Sequence, residues 1–289
     1  HAPPQKASDN ETPTIGLVVP DIANPWFPTL IKGVENVSRL HRFNLVLSDS
    51  ENSPDVEATN IQTMVARDVA GLILVPTYRH SQAAIQLVDD GFPVVFLDRQ
   101  IEDRDINFVT SANRVGAYQA TKYLLSLGHR RILYVAGNER IDTEWKRRDG
   151  FIQAITEAGV TVDHHLIVPG NYDLETAQQS IAELLEEERD FTAIFASDDV
   201  MAYGAKLALN DANLRVPEDV SIIGFDDIAY SSLVGLTTMS QSPFELGKNA
   251  VLLLEDILAG RVTGPKTIEL PTSIVIRDSC APPNEKQRR

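Results

Sequence analysis

The chain has 289 residues, more than one hydrophobic core usually serves, so its length predicts two lobes of ordinary domain size. With 43% hydrophobic and 23% charged residues, the composition is that of a soluble globular protein, and no apolar run is long enough to span a membrane. The formal net charge of −15 argues against direct binding of a phosphate backbone by this chain. The single cysteine, Cys280, cannot form an internal disulfide, and nothing in the sequence indicates an oxidising compartment.

Short apolar runs rich in Val and Ile alternate with longer stretches of helical periodicity from Thr14 onward. Before them, residues 1–13 are polar and proline-rich and are expected to be a linker or a remnant of one. The runs are, in chain order, TIGLVV, FNLVLS, GLILVP, PVVFLD, INFVTS, RILYVAG, HLIVPG, AIFAS and VSIIGF. Such near-continuous apolar strands, separated by helices, predict an α/β fold with parallel sheets that are covered on both faces.

One helical stretch, residues 112–127, shows a clear apolar face and a C-terminal signal. The residues on that face are Ala120, Tyr123, Leu124 and Leu127. Gly128 follows where a helix C-cap commonly has glycine. The acidic run 183–190 is expected to be the solvated face and end of another helix, and a division near residues 111–113 separates two similarly built halves.

Acidic residues follow several of the predicted strands. They are Asp21, Asp49, Asp98 (followed by Arg99), Asp198 with Asp199, and Asp226 with Asp227. Ligands of open α/β sheets bind at the carboxyl ends of the strands, so these acids mark a candidate site. At each position the alternative is a helix cap, which is favoured for Asp199. As a set with nearby aromatics, the acids suit a polyhydroxylated ligand, because carboxylates accept hydrogen bonds from hydroxyl groups and aromatic rings pack against sugar C–H faces.

The segment DIANPWFPTL, residues 21–30, places Trp26 and Phe27 at the turn after the first strand. If they face solvent, these side chains expose a large apolar area of the kind that binds a partner or ligand. The alternative is that the turn packs them into a core, which suits Phe27 better than Trp26. Trp26 is therefore the favoured platform for a ligand.

Sequence signatures of catalysis are missing. The chain has no G-x-S-x-G, no G-x-x-x-x-G-K-[ST] and no H-E-x-x-H motif, and the first strand leads into VPDIANP rather than a glycine-rich dinucleotide loop. His164 and His165 would point to opposite sides of a strand, so no metal site is expected. Acid–base chemistry by Asp226 and Asp227 is an alternative, but their side chains should diverge. Binding without catalysis, cofactor or metal is the simpler prediction.

Taken in order, segments spread over residues 14–283 resemble the effector-binding portion of LacI/GalR-type transcription regulators. The opening half carries TIGLVVPDIANPWF, GLILVP and PVVFLDR, and the middle carries GAYQATKYLLSLGHRRILYVAG and RRDGF. The remainder carries ASDDVMAYGA, LRVPEDVSIIGFDDI, LTTMSQSPFELGKNA and IRDSCAPP. Each segment alone is weak evidence, but together, in this order, they are highly specific.

The resemblance implies a periplasmic-binding-protein-like fold of two Rossmann-like lobes with parallel sheets, joined by three crossovers, with the effector in the cleft between the lobes. The N-terminal lobe would comprise residues 14–111 and 243–271. The C-terminal lobe would comprise residues 112–242 and 272–284, and residues 285–289 would be a tail.

The resemblance also implies which residues bind the effector. In the N-terminal lobe they are Asp21, Trp26, Phe27 and Asp98. In the C-terminal lobe they are Thr143, Arg147, Tyr172, Asp198 and Asp226. Arg147 is the arginine of the R-x-x-G motif, and its loss is expected to abolish the response to effector while leaving folding nearly intact. The alternative for Arg147 is an exposed helix residue.

The implied function is that of the effector-binding and dimerisation portion of a cytoplasmic, homodimeric DNA-binding regulator. The effector would be a mono- or disaccharide or related polyol, with a purine also open, and it would act by changing the orientation of the lobes. The family's helix-turn-helix head is missing from this chain, so contact with DNA would be made only through such a head, and no membrane partner is expected. One alternative is a solute-binding protein of a sugar importer, and another is an α/β enzyme.

Overall fold

The structure is a computed structural model that describes residues 12–101 and 104–284. Most of the predicted linker and the predicted tail, residues 285–289, lie outside the described residues. The chain forms two compact units. Unit 1 comprises His1–Thr110 and Pro243–Glu269, and unit 2 comprises Ser111–Ser242 and Leu270–Arg289.

Twelve strands and eight α-helices alternate along the described residues. The strands are β1 (Thr14–Val19), β2 (Asn44–Asp49), β3 (Gly71–Leu74), β4 (Val94–Leu97), β5 (Phe108–Ser111), β6 (Ile132–Ala136), β7 (Ile167–Pro169), β8 (Ala193–Ala196), β9 (Ser221–Asp226), β10 (Thr237–Ser240), β11 (Thr267–Leu270) and β12 (Ser273–Val275). The helices are α1 (Trp26–Leu40), α2 (Pro54–Ala66), α3 (Gln82–Asp89), α4 (Asn113–Ser126), α5 (Asp142–Glu157), α6 (Leu174–Glu187), α7 (Asp199–Asp211) and α8 (Pro243–Leu258).

The strands form two six-stranded sheets, with the orders β11-β5-β4-β3-β1-β2 and β12-β10-β9-β8-β6-β7. Neighbouring strands are parallel throughout β5-β4-β3-β1-β2 in the first sheet and throughout β10-β9-β8-β6-β7 in the second. Strand β12 runs antiparallel to β10. Every residue of β3, β4 and β8 is buried, as expected for strands covered on both faces. The predicted α/β fold with two mostly parallel sheets is confirmed.

Helix α4 ends as its sequence predicted. Ala120 and Leu124 are fully buried, and Gly128 just beyond the helix has a φ of +105°, a conformation that glycine adopts without strain. Helix α5 packs closely on α4, because a Cβ added at Gly150 would overlap the backbone carbonyl oxygen of Arg114. The glycine of the R-x-x-G motif therefore lets the two helices approach, and this fixes the position of Arg147 one turn earlier.

Within residues 12–101 and 104–284, none of the helices is long and apolar enough to cross a membrane. The same residues contain no group of three or more His, Cys, Asp or Glu side chains that could hold a metal ion.

Candidate functional site

In unit 1, the acids at the ends of β1 and β2 bind the backbone of the turn before α1. Asp21 Oδ1 accepts a hydrogen bond from the Ala23 N–H at 2.8 Å. Asp49 Oδ2 accepts one from the Ile22 N–H at 3.1 Å. Both carboxylates are partly exposed. They therefore shape the DIANP turn, and Asp21 acts through an Asx turn rather than as the cap of a helix.

Trp26 and Phe27 lie in the first turn of α1, and each is only 4% exposed. Their rings meet edge to face, with centroids 5.1 Å apart. Neither side chain presents an exposed apolar face, so the expectation of a solvent-facing Trp26 platform is wrong. The apolar face of α1 begins at these residues and is buried from Trp26 to Val37, which explains their burial.

The indole Nε1–H of Trp26 is buried and has no hydrogen-bond partner among the described residues. A buried N–H without an acceptor costs about 1–3 kcal/mol. The Trp26 indole can therefore donate a hydrogen bond to a bound molecule. The sequence around Trp26 did not indicate this role as a donor.

Asp98 follows β4 in a left-handed conformation, with a φ of +64°. Its carboxylate lies 3.8 Å from Nε of Arg99, and its backbone carbonyl accepts a hydrogen bond from Thr110 Oγ1 at 3.2 Å. Arg99 in turn donates from Nη1 to the carbonyl oxygens of Pro76 and Thr77, each at 3.3 Å. The backbone beyond β3 therefore anchors the Asp98–Arg99 pair.

Glu57 of α2 is a buried acid of unit 1 that sequence reasoning missed. It accepts hydrogen bonds from the Thr77 N–H at 2.5 Å and from Ser81 Oγ. The surrounding sequence, PDVEATNIQ, is polar and gives no sign that this carboxylate is buried. Its contacts hold the segment after β3, to which Arg99 is also bound.

In unit 2, Arg147 of α5 is buried at the carboxyl ends of β8 and β9. Its Nε donates to Asn113 Oδ1 at 2.8 Å, and its Nη1 donates to the Ser197 carbonyl oxygen at 2.5 Å. Nη2 lies 3.5 Å from Asp226 Oδ1, and the guanidinium stacks 4.0 Å from the centre of the Phe225 ring. The alternative of an exposed helix residue is therefore wrong.

This burial also overturns the expectation that loss of Arg147 leaves folding nearly intact. Removing one partner of a buried ion pair leaves the other charge uncompensated in a medium of low polarity. Asp226, Asn113 and the Ser197 carbonyl would each lose a donor. Arg147 is part of the framework of unit 2 as well as a candidate binding residue.

Glu144 lies three residues before Arg147 on α5 and is also buried. It accepts hydrogen bonds from the Tyr134 hydroxyl at 2.9 Å, the Gly137 N–H at 2.8 Å and Ser197 Oγ at 2.5 Å. Burial raises the pKa of its carboxyl, against the lowering effect of these hydrogen bonds and of Arg147. Sequence reasoning missed Glu144, although its spacing from Arg147 places both on one helix face.

Asp198 and Asp199 differ in role, and the order favoured from sequence is wrong. Asp198 is the N-cap of α7, where its Oδ1 accepts a hydrogen bond from the Met201 N–H at 2.7 Å. Asp199 is the first helical residue and accepts hydrogen bonds from the Ile228 N–H at 3.0 Å and from Ser231 Oγ and Thr238 Oγ1, each at 2.5 Å. The cap position has extended backbone geometry, which only Asp198 has.

Both carboxyls are almost fully buried, and burial raises their pKa values, to about 6 for Asp198 and about 7 for Asp199. The second oxygen of Asp198, Oδ2, is buried without a hydrogen-bond partner among the described residues. Asp198 can therefore accept a hydrogen bond from a bound molecule while it still caps α7.

Asp226 is the last residue of β9 and Asp227 follows it, and their side chains diverge, as expected. Asp226 accepts a hydrogen bond from the side-chain amide of Gln241 and faces Arg147, whereas Asp227 pairs with Arg277 at 2.7 Å. The amide oxygen of Gln241, Oε1, is buried and has no hydrogen-bond partner in the described part of the chain. Gln241 is a further candidate that sequence reasoning missed.

Tyr172 and Thr143 complete the predicted set. Tyr172 has a φ of +62°, and its ring packs on Gly137, where an added Cβ would overlap it. The backbone N–H of Gly137 donates a hydrogen bond to the Glu144 carboxylate. Thr143 is buried on α5 beside Glu144.

The structure thus brings Arg147 into contact with Asp226 and with the backbone carbonyl of Ser197, the residue before Asp198, and the charge of Arg147 opposes the rise that burial causes in the pKa of Asp198. Tyr172 is linked to them through Gly137 and Glu144. In unit 1, Asp21 lies at the turn that leads into Trp26 and Phe27, and Asp98 lies at the end of a different strand, β4.

The sequence matches a protein family described as "Periplasmic binding proteins and sugar binding domain of LacI family" over residues 12–275. The chain belongs to this family and is the ligand-binding portion of a LacI-family transcription regulator. Its curated relatives include the HTH-type transcriptional repressor CytR of Escherichia coli (strain K12), 32% identical over 93% of this chain and 80% of that protein. Another is Catabolite control protein A of Priestia megaterium, 30% identical over 94% of this chain and 83% of that protein.

Solved structures of LacI-family regulators have the same fold as this chain. A LacI family transcriptional regulator from Enterococcus faecium with bound ribose superposes with a TM-score of 0.84 at 30% identity, over 94% of this chain and 100% of the other. A complex of the regulator CelR with cellobiose has a TM-score of 0.86 at 28% identity, over 92% of this chain and 84% of the other. The predicted membership of the LacI/GalR-type regulators is confirmed.

Proposed function

We propose that this chain is the effector-binding and dimerisation portion of a DNA-binding repressor and that its effector is a small sugar or a related polyol. The observation that carries the proposal is the buried cluster of Arg147, Asp198 and Asp226 at the carboxyl ends of the unit 2 strands. Within it, Asp198 Oδ2 and Gln241 Oε1 are buried acceptors without partners among the described residues. Sugar hydroxyls are donors that such atoms bind.

Under this proposal, the residues of unit 1 that the sequence predicted to bind the effector keep that role. Trp26 would donate its indole N–H to an oxygen of the ligand, and Phe27 would support the Trp26 ring from its edge. Asp21 and Asp98 would accept hydrogen bonds from ligand hydroxyls. In unit 2, Tyr172 would offer its aromatic ring and Thr143 its hydroxyl. The ribose and cellobiose held by the two related regulators support a saccharide ligand.

The regulatory step follows from linkage. A ligand changes the affinity of a regulator for DNA only to the extent that it prefers one of two protein conformations. DNA would be contacted by a separate head domain, because this chain has a net charge of −15. The protein would act in the cytoplasm without catalysing a reaction, as expected of relatives that are transcriptional repressors.

An apolar surface patch supports a homodimer. It consists of Leu207 on α7 together with Tyr230, Leu233 and Val234, and Leu233 is 80% exposed. Lys206 Nζ donates a hydrogen bond to the Val234 carbonyl oxygen at 3.0 Å, and the Tyr203 hydroxyl lies 2.8 Å from Ser231 Oγ. Helix α7 and the loop that carries Leu233 therefore form one surface. Exposed apolar patches of this kind commonly mark protein interfaces.

Sedimentation velocity tests the dimer with two matched substitutions in unit 2. Leu233→Asp should convert the dimer to monomer, because it places a charge in the apolar patch. Val115→Asp changes an exposed valine at the start of α4, outside the patch, and should leave the dimer intact. A wild-type protein that sediments as a monomer at micromolar concentration would contradict the proposal.

Effector binding is tested by a thermal-shift screen of neutral sugars, polyols and nucleosides, followed by calorimetry of each hit. At least one neutral sugar or polyol should raise the melting temperature and bind with a stoichiometry of one per chain. If purines alone bind, the aromatic groups dominate recognition and the saccharide proposal fails.

The description of the matched family also names periplasmic binding proteins, the class of the alternative predicted from the sequence, a solute-binding protein of a sugar importer. Sequencing the gene upstream of the codon for Thr14 distinguishes this alternative from the regulator. A helix-turn-helix segment supports the regulator, and a secretion signal supports the importer.

A further inference from the structure

The unit 2 cluster carries a strong imbalance of charge. Two of its own carboxyl groups, those of Asp198 and Asp226, and two adjacent ones, those of Glu144 and Asp199, are buried. Among the described residues, Arg147 is a buried cation that faces three of them, through its 3.5 Å approach to Asp226 and its electrostatic effect on Glu144 and Asp198. The neighbouring cations are paired elsewhere, Arg277 with Asp227 and Lys146 with Asp142.

Arg147 is also heavily engaged by the protein itself. Its Nε and Nη1 donate to Asn113 and to the Ser197 carbonyl, and its Nη2 faces Asp226. A guanidinium that is to clamp a phosphate or carboxylate in bidentate fashion must present two parallel N–H groups to it. The contacts of Arg147 direct its N–H groups to protein acceptors instead.

Two buried polar atoms of the cluster that have no partner among the described residues are acceptors. Asp198 and Gln241 are each 1% exposed, and Asp198 Oδ2 and Gln241 Oε1 have no hydrogen-bond partner within the described ranges. The amide nitrogen of Gln241 donates a hydrogen bond to Asp226, so the amide oxygen of Gln241 is the atom that can accept one from a ligand. A buried acceptor is satisfied only by a donor, such as a hydroxyl or amino group.

We infer that this site selects its ligand by charge: it binds a neutral or amino-bearing ligand and rejects the phosphorylated form of the same molecule. The inference rests on the proposed function, since it concerns the same site, and it names the ligand class more narrowly. A phosphate brings negative charge and acceptor oxygens into a region that already has an excess of both. A hydroxyl or ammonium group supplies the donors that Asp198 and Gln241 need.

Calorimetry on matched ligands tests the inference. The probes are ribose with ribose 5-phosphate, glucose with glucosamine and glucose 6-phosphate, and adenosine with adenosine 5′-monophosphate. For every neutral compound that binds, the phosphate should bind at least about tenfold more weakly, because one uncompensated charge pair in a poorly hydrated site has that effect. An amino derivative should bind as tightly as its parent or more tightly.

Asp198→Asn separates charge from shape. Asparagine keeps an oxygen that can cap α7 but removes the negative charge and replaces one acceptor by a donor. The variant should bind the neutral ligand more weakly than wild type does. The ratio of the affinity for the neutral ligand to the affinity for its phosphorylated form should fall at least about threefold, because repulsion between the phosphate and residue 198 is reduced. Asp163→Asn is the control, since Asp163 also accepts a backbone N–H, that of His165, at an exposed position.

The outcomes distinguish this inference from the proposed function. If a phosphorylated ligand binds as tightly as its neutral parent, or if Asp198→Asn leaves the ratio unchanged, selection by charge is wrong while effector binding stands. If neither these probes nor any sugar or polyol of the thermal-shift screen binds, the proposed function itself fails. Retention of the wild-type ratio in Asp163→Asn, with narrowing in Asp198→Asn, supports the inference.

Discussion

Replacement of Arg147 by methionine should destabilise unit 2 strongly. Methionine keeps much of the side-chain length but removes the guanidinium, which leaves Asp226 without its cation and Asn113 and the Ser197 carbonyl without a donor. Breaking a buried ion pair by removing one partner costs about 3–5 kcal/mol. The stacking of the guanidinium on Phe225 is also lost.

The two tryptophans allow this loss to be assigned to one unit, because Trp26 lies in unit 1 and Trp145 in unit 2. In a Trp26→Phe background, the fluorescence of Trp145 follows urea unfolding of unit 2. The free energy of unfolding of Arg147→Met should fall by about 3–5 kcal/mol relative to that background. Arg148→Met, at the partly exposed neighbouring position, is the matched control and should fall by less than about 1 kcal/mol. Equal, small losses for both variants would refute the structural role of Arg147.

Two further predictions concern buried titratable groups. Burial raises the pKa of Asp199 from 3.8 to about 7, so protonation of this carboxyl stabilises the folded state. The stabilisation is fully present below about pH 4 and is lost as the pH rises through about 7. Urea unfolding of wild type should therefore show a free energy of unfolding that rises by about 2–3 kcal/mol from this group between pH 8 and pH 5, and Asp199→Asn should flatten that rise; equal slopes would contradict the prediction. Burial also raises the pKa of Cys280 to about 12, so 5,5′-dithiobis(2-nitrobenzoic acid) should react with it at pH 8 only when urea is added, and rapid labelling of the native protein would show that the thiol is accessible.

The main architecture could be predicted from the sequence because its strands are buried on both faces. Runs such as GLILVP and PVVFLD have no polar face and cannot be mistaken for solvent-exposed segments. The nine apolar runs did not include β10, β11 or β12. Strand β10 is rich in Thr and Ser, and β11 and β12 are short and partly exposed, so their pairing depends on contacts with distant strands rather than on local pattern.

The site was only partly predictable. Acids at strand ends marked the correct edge of the unit 2 sheet, but sequence could not decide which of Asp198 and Asp199 caps α7, because that depends on one residue's backbone angles. Glu144 and Gln241 are ordinary surface residue types whose burial follows from tertiary packing. Trp26 is buried for the same reason, and its unpaired indole N–H becomes visible only once its neighbours are placed.

The most direct test of the proposed effector site is calorimetric titration of wild type and Asp198→Asn with the neutral sugar that gives the largest thermal shift. Wild type should bind this sugar at one site per chain, and the affinity of Asp198→Asn should be at least about tenfold lower, because a buried acceptor that binds a ligand hydroxyl has been lost. An affinity that is the same in both proteins would contradict the central claim that the cluster of Arg147, Asp198 and Asp226 binds the effector.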